Sequence, residues 1–261
     1  MNRQDTVGAQ KARRGRRNSL LAALPHAEYK RLLASLEPVT LKFGEVLQEP
    51  GELIRHVYLP IDCVISLLTT VEDDKALLVG LVGHEGMVGI PLALGIHLSP
   101  TRALVQGAGT AMRMKSSAFR KEFLQSTSLQ QAVHRYKHAL TGQFAQSVAC
   151  NQFHSLRARF ARYLLMTADR ARSREVRLTH NFLSRMLGVR RPGVTSAAGA
   201  LEKRRLIQCG RGKITILDRK RLGASSCACY RIIKRMYKKA RMRMAESARK
   251  RKGGMRGAST A

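Results

Sequence analysis

The sequence predicts an α+β protein: an N-terminal antiparallel β jelly roll, one long helix, and a C-terminal winged helix-turn-helix. Three observations carry this. Between residues 38 and 115, short β-branched or apolar runs alternate with turn residues. Between residues 128 and 151 the apolar spacing changes to steps of three and four. Finally, "LTHNFLSRMLGVRRPGVTSAAGALEKRRLI", Leu178 to Ile207, holds two short amphipathic patterns separated by a glycine.

Composition narrows the function. A chain of 261 residues accommodates one large domain or two ordinary ones, each able to bury a core. Against 17 Asp+Glu it carries 48 Lys+Arg, a formal charge of +31. Such an excess repels itself in the compact state and signals a polyanionic partner, nucleic acid first and an anionic membrane surface second. No run of about 18 apolar residues is present, so no membrane span is expected. "MNRQDTVGAQKARRGRRNS" lacks the apolar core of a secretory signal, which favours a cytoplasmic protein. The cysteines, Cys63, Cys150, Cys209, Cys227 and Cys229, are odd in number and scattered, as suits a reducing compartment. Only Cys227-Ala-Cys229 is clustered. Without a second Cys or His pair at ligand spacing these read as packing residues, and no metal or cofactor is assigned. No carboxylate pair, nucleophile motif or phosphate loop points to an enzyme.

Taken in order, residues 1–18 are basic, nearly free of apolar side chains, and predict a disordered arm. Residues 19–127 form the barrel domain. Leu20, Leu21, Leu24, Leu32, Leu33 and Leu36 mark short helical pieces broken by Pro25. "VTLKFGEVL", "HVYLPIDCVISLLTTV", "KALLVGLVG" and "RALVQGAGTAMRM" are the strands, separated by Gly-, Pro- and Asp-containing turns. Residues 128–152 form the long helix, with a seam of Leu129, Val133, Tyr136, Leu140, Phe144 and Val148. That seam suits a helix packed on its own barrel or a coiled-coil dimer. After a hinge near Phe153–Ser155, residues 153–222 carry an amphipathic helix from Leu156 to Ala168 and the winged helix-turn-helix. Residues 223–261 hold a helix packed by Ile232, Ile233 and Met236, then a basic tail suited to nonspecific phosphate contacts.

Within the helix pair, Thr179 is the expected N-cap and Phe182, Leu183, Met186 and Leu187 the apolar stripe. Gly188 stands where a helix ends in the left-handed region. The second helix starts near Arg190 or Arg191, with Pro192 in its first turn. Val194, Ala197, Ala198 and Leu201 share one face; Pro192, Ser196, Gly199 and Lys203 lie opposite. "RLIQC" and "KITILD", joined through Gly210-Arg211-Gly212, form the wing. A major groove of about 12 Å admits a helix only when its outward side chains do not hold it off, and a basic helix start suits phosphates and guanine edges.

The run "LGVRRPGVTSAAGALEKRRLI", followed by "GRGKITILD", resembles the C-terminal winged helix of the Crp/Fnr transcription regulators. "VYLPIDCVISLL" and "VGHEGMVGIPLALG" resemble a branch of that family whose barrel is related to cyclic-nucleotide-binding domains, so the likeness covers roughly residues 20–237. It implies a homodimer through residues 128–152, binding of double-stranded DNA in successive major grooves, and control of transcription initiation, which brings in RNA polymerase as a further partner. Thr179, His180 and Asn181 would then meet the DNA backbone. Arg190, Arg191, Thr195 and Ser196 would face phosphates or bases at the recognition helix. Lys203 would flank it, and Arg211 and Lys213 would occupy the wing. Where many members carry a glutamate after the second arginine, this chain has Pro192, which cannot accept from cytosine N4, so its site preference should differ.

Cyclic-nucleotide-binding members place a glutamate in a Gly-Glu pair, then Arg-Ser or Arg-Thr about ten residues later. The stretch "GMVGIPLALGIHLSPTRA" contains no acidic residue; Ile90 takes the glutamate's place, and only Arg102 is left to meet a phosphate. The cluster-binding cysteines of oxygen-sensing members are missing from the N-terminus, and His84 and His97 lack partners at metal spacing. The expectation is a sequence-specific regulator without cyclic-nucleotide control. The alternatives are a nonspecific architectural DNA binder and a ligand-gated sensor using the barrel pocket.

Overall fold

The computed structural model describes residues 17–70 and 76–242. Most of the basic N-terminal arm and the end of the basic tail lie outside these residues. Asn18, read as the last residue of that arm, belongs to the fold instead. Its Oδ1 caps α1 (Ser19–Ala22) by accepting from Leu20 N at 2.9 Å, and its Nδ2 donates to the carbonyls of Pro60 and Gly86 at 2.9 and 2.7 Å. A short polar residue before Leu20-Leu21 is a cap signal that the charge of the arm had obscured.

After α2 (His26–Leu33) the described residues form seven strands: β1 (Glu37–Leu41), β2 (Val46–Gln48), β3 (His56–Pro60), β4 (Val64–Thr70), β5 (Ala76–Val82), β6 (Arg102–Gly107) and β7 (Gly109–Lys115). They form two antiparallel sheets, β1-β7-β3 and β2-β6-β4-β5, which enclose Leu41, Leu59, Ile65, Met87, Ala103, Val105 and Met114. Two of the expected runs are each a pair of strands. "HVYLPIDCVISLLTTV" breaks at Asp62, whose Oδ1 accepts from Thr110 N at 2.7 Å, and "RALVQGAGTAMRM" breaks at Ala108.

The chain continues through α3 (Ser116–Gln125) into the long helix α4 (Thr127–Phe153), capped by the Ser126 hydroxyl accepting from Leu129 N at 3.0 Å. Here the open question about its seam is answered for one chain. Leu129, Val133, Tyr136 and Leu140 are buried in the barrel core, with Phe144 packed against it, so that face covers the molecule's own sheet. Close approach requires Gly86, where an added Cβ would collide with the Tyr136 ring. Val148 lies outside that contact and is 67% exposed. The opposite face, His134, His138, Thr141, Ala145, Val148 and Gln152, is exposed and also recurs at steps of four and three.

His154 and Ser155 end the helix, and α5 (Leu156–Ala171) turns back across the barrel. A buried polar chain fixes this docking. Ser66 and Tyr163 both donate to Gln106 Oε1, at 2.6 and 2.7 Å, and Gln106 Nε2 donates to Thr167 at 3.1 Å. Burial pushes the Tyr163 phenol well above its usual range, which keeps it a donor. The remaining elements are β8 (Glu175–Val176), α6 (His180–Leu187), α7 (Arg191–Lys203), β9 (Ile207–Gly210), β10 (Lys213–Ile216) and α8 (Arg219–Ser225). A last helix, α9, occupies 229–242 and folds back along α4 and α5, with Tyr230 and Ile233 buried. No helix among the described residues is long and apolar enough to cross a membrane.

Candidate nucleic-acid interface

Local chemistry explains how α6 and α7 are set. Thr179 Oγ1 accepts from Phe182 N at 3.1 Å, and Gly188 closes α6 at φ 62°. The last carbonyls of α6 receive a further donor: Arg159 Nη2, from α5, reaches Leu187 O at 2.6 Å. Burial draws the Arg159 guanidinium below its usual range. Leu183, Met186 and Leu187 enter a core shared with Val194, Ala198, Leu201, Ile214 and Ile216, and Phe182 meets Phe43 of the barrel with ring centroids 5.4 Å apart.

α7 starts as expected, with Arg190 as N-cap and Pro192 in the first turn. Val194, Ala197, Ala198 and Leu201 are buried, while Arg190, Arg191, Pro192, Thr195, Ser196 and Lys203 are exposed. A Cβ added at Gly199 would meet nothing within 4 Å. The outer side of α7 is therefore low and open rather than walled in by the protein. Glu202, the one acid on this helix, is turned to the wing, where Oε1 accepts from Cys209 N at 2.7 Å.

The other expected site residues fall around this rod. His180 and Asn181 lie in the first turn of α6. His180 Nδ1 stands 3.1 Å from the Thr195 hydroxyl, which itself donates to Arg191 O at 3.2 Å; Thr195 thus ties the two helices together as well as lying on the surface. The wing hairpin turns at Gly212, φ 67°, with Arg211 exposed at its tip. Lys213 forms an ion pair with Glu175 at 2.6 Å, so part of its charge is already matched. Glu175 lies in β8, which adds a third strand to the wing by pairing with β10. Two residues show no alternation, so this strand left no trace in the sequence.

In the barrel, Ile90 begins a 3-10 turn, Ile90–Leu94, and packs against the core. Arg102 forms an ion pair with Glu49 at 2.7 Å. A separate cavity of about 270 Å³ opens outside the barrel, among His84, Glu85, Tyr136, Arg170 and Tyr237. Burial pulls the His84 imidazole below its usual range.

One grouping was missed from the sequence. Cys150 and His154, at the end of α4, meet Cys227 and Cys229 ahead of and at the start of α9. The Cys150–His154 spacing of four, which puts both side chains on one helix face, was the available signal.

Residues 158–225 match the family model of the Crp-like helix-turn-helix domain. Among solved structures the chain is similar to a transcriptional regulator of the Crp/Fnr family from Eubacterium rectale, with a TM-score of 0.61 at 17% identity over 78% of this chain and 96% of the other. It is similar to FixK2 from Bradyrhizobium japonicum, with a TM-score of 0.60 at 14% identity over 74% and 98%. A CRP-family transcriptional regulator from Thermus thermophilus gives 0.58 at 20% over 72% and 97%. A search of curated proteins returns no match.

Proposed function

We propose that this chain is a DNA-binding transcriptional regulator of the Crp/Fnr type that binds as a homodimer to a pseudo-palindromic site without cyclic-nucleotide control. The observation that carries the proposal is the open outer side of α7, with Arg190 and Arg191 at its positive end and Lys203, Arg204 and Arg205 exposed at the other. Backbone N–H groups at a helix start favour phosphate, and a low helix surface lets the rod reach base edges. Arg191 and Ser196 are the residues offered as base readers. Thr179, His180 and Asn181 at α6, and Arg211 and Lys213 at the wing, are offered as backbone anchors.

Dimerisation is assigned to the exposed face of α4 rather than to the seam that covers the barrel. His134, His138, Thr141, Ala145, Val148 and Gln152 carry the alternating spacing of a two-helix contact, with its small and apolar members toward the C-terminal half. Two such protomers would present their α7 helices about one helical turn of DNA apart. Independence from cyclic nucleotides is supported by the apolar Ile90 and by Arg102, already in an ion pair with Glu49.

Selection of bound sequences from a random library, followed by footprinting, is expected to yield a protected inverted repeat. Competing random duplex should bind at least about 1,000-fold more weakly. A gap below tenfold would make the protein a nonspecific architectural binder. On the selected site, Arg191→Ala should cost about 1–3 kcal/mol and relax preference at one base position. Arg211→Ala should weaken all sequences alike and flatten the salt dependence by about one unit. Calorimetric heat with micromolar cyclic AMP or cyclic GMP would overturn the effector-free reading.

A further inference from the structure

The four residues at the end of α4 and the start of α9 form a closed set of soft and borderline ligands. Cys150 Sγ lies 3.4 Å from Cys227 Sγ, and Cys229 Sγ lies 3.6 Å from His154 Nδ1. All four ligand atoms lie within 4.8 Å of one another. A tetrahedral Zn2+ with Zn–S near 2.3 Å and Zn–N near 2.0–2.1 Å requires ligand atoms roughly 3.5–3.8 Å apart, so this set needs to move by about an ångström or less. A four-iron cluster would spread its thiolates more widely than this grouping allows.

A second, independent observation concerns charge. Arg162, on α5, is 5% exposed, and its Nε and Nη1 have no hydrogen-bond partner. Arg159 is half-buried beside it with its own Nε unpartnered. The Arg162 charge acts on both Cys150 and Cys227. Leaving two N–H groups of a buried guanidinium without acceptors is costly. Three thiolates around one divalent cation with a neutral imidazole carry a net charge of −1, and their sulfurs accept N–H donors. Such a centre would place further negative charge near Arg162, two of whose N–H groups have no acceptor. Gln146 Nε2, 3.1 Å from Cys229 Sγ, is a further outer donor.

We propose that Cys150, His154, Cys227 and Cys229 bind one Zn2+ in a closed Cys3His site of structural type. The ion would join the last turn of α4 to the start of α9 across the hinge at His154 and Ser155. That hinge sets the direction in which α5, and with it the winged helix, leaves the long helix. Metal at this point holds the DNA-binding domain to the barrel without touching DNA. Metal binding competes with protons for the thiolate and imidazole ligands, as it does at any such centre.

The test uses the full-length chain, reduced, loaded with Zn2+ and then with Co2+, and passed over a chelating resin. About one Zn2+ per chain is expected, and the Co2+ form should show a thiolate-to-metal charge-transfer band with intense tetrahedral d–d bands. Cys150→Ser with Cys227→Ser should retain less than about a tenth of the metal, and Cys209→Ser should retain all of it. The Co2+ spectrum is read on the unaltered protein, so it decides the matter even if the double variant does not fold. Retention of neither metal, an octahedral Co2+ spectrum without the thiolate band, or an iron chromophore with labile sulfide would each overturn the proposal. So would a Cys150–Cys227 disulfide that persists under the reducing conditions, or full metal retention by a folded double variant.

Discussion

Gly199→Leu is expected to lower affinity for the selected DNA site by roughly a hundredfold or more while leaving the protein folded and slightly more stable. The two effects separate because of where Gly199 sits. No atom lies within 4 Å of a Cβ built there, so the position opens outward in the free protein. In the interior of α7, replacing glycine by a strong helix former gains about 0.5–1 kcal/mol. On DNA the same side chain would stand between the helix axis and the base edges. Holding α7 off the groove floor by even an ångström or two would break the base contacts proposed for Arg191 and Ser196 together, and the loss of a bidentate arginine contact at about 1–3 kcal/mol with that of a second contact reaches roughly a hundredfold. Gly199→Ala provides the graded control: stability should rise similarly and affinity should fall by less than about tenfold. Thermal unfolding and a titration of operator duplex measure both quantities on the same samples. If the leucine variant bound within about threefold of the parent, α7 would not be the element in the groove.

Much of this site was readable from the sequence, because local rules are strong there. Thr179, Gly188 and Pro192 each sit at a helix boundary for a reason confined to a few residues, and all three occupy the predicted positions. The burial of Val194, Ala197, Ala198 and Leu201 follows from 100° per residue alone. What could not be read is what depends on distant partners. The seam from Leu129 to Phe144 has the period of a dimer interface and of a barrel cover, and only the position of Gly86 and the β5 sheet decides between them. Lys213 looked like a free wing cation until β8 brought Glu175 beside it. The four possible metal ligands are split between residues 150–154 and 227–229, and the i,i+4 spacing of Cys150 and His154 gains meaning only once α9 brings Cys227 and Cys229 beside it. Arg159, Arg162 and Arg170 look like ordinary members of a basic helix, yet the first caps α6 and the other two are buried.

Arg170→Met is the substitution expected to cost the most stability. Arg170 is 5% exposed and holds together four parts of the chain. Its Nε donates to Leu81 O at 3.0 Å and forms an ion pair with Glu85 Oε1 at 2.8 Å, both on the barrel side. Nη2 donates to Gln143 Oε1 of α4 at 2.8 Å, Nη1 to Met166 O of α5 at 3.3 Å, and the guanidinium lies 5.3 Å from the ring centroid of Tyr237 on α9. Methionine can follow the path of the stem, which runs against the backbone of Gly83, so little packing is lost. The cost arises elsewhere. Glu85 is left largely buried as a carboxylate without its cation, with Oε2 already unpartnered, and Gln143 and Leu81 lose their donor. Removing one member of such a pair costs about 3–5 kcal/mol, which in a protein of this size lowers the unfolding midpoint by roughly 6–20 °C. Glu85→Gln in the Arg170→Met background should recover much of that loss, since it removes the stranded charge, whereas Glu85→Gln alone should cost less than Arg170→Met. A double-mutant cycle by thermal or urea unfolding measures the coupling directly. A loss under about 1 kcal/mol for Arg170→Met would mean that water, not Arg170, already satisfies Glu85. The polar tie between the barrel and α5 would then rest on the Ser66–Gln106–Tyr163–Thr167 chain, beside the apolar contacts of Phe43 with Phe182 and of Leu78 and Leu81 with the shared core.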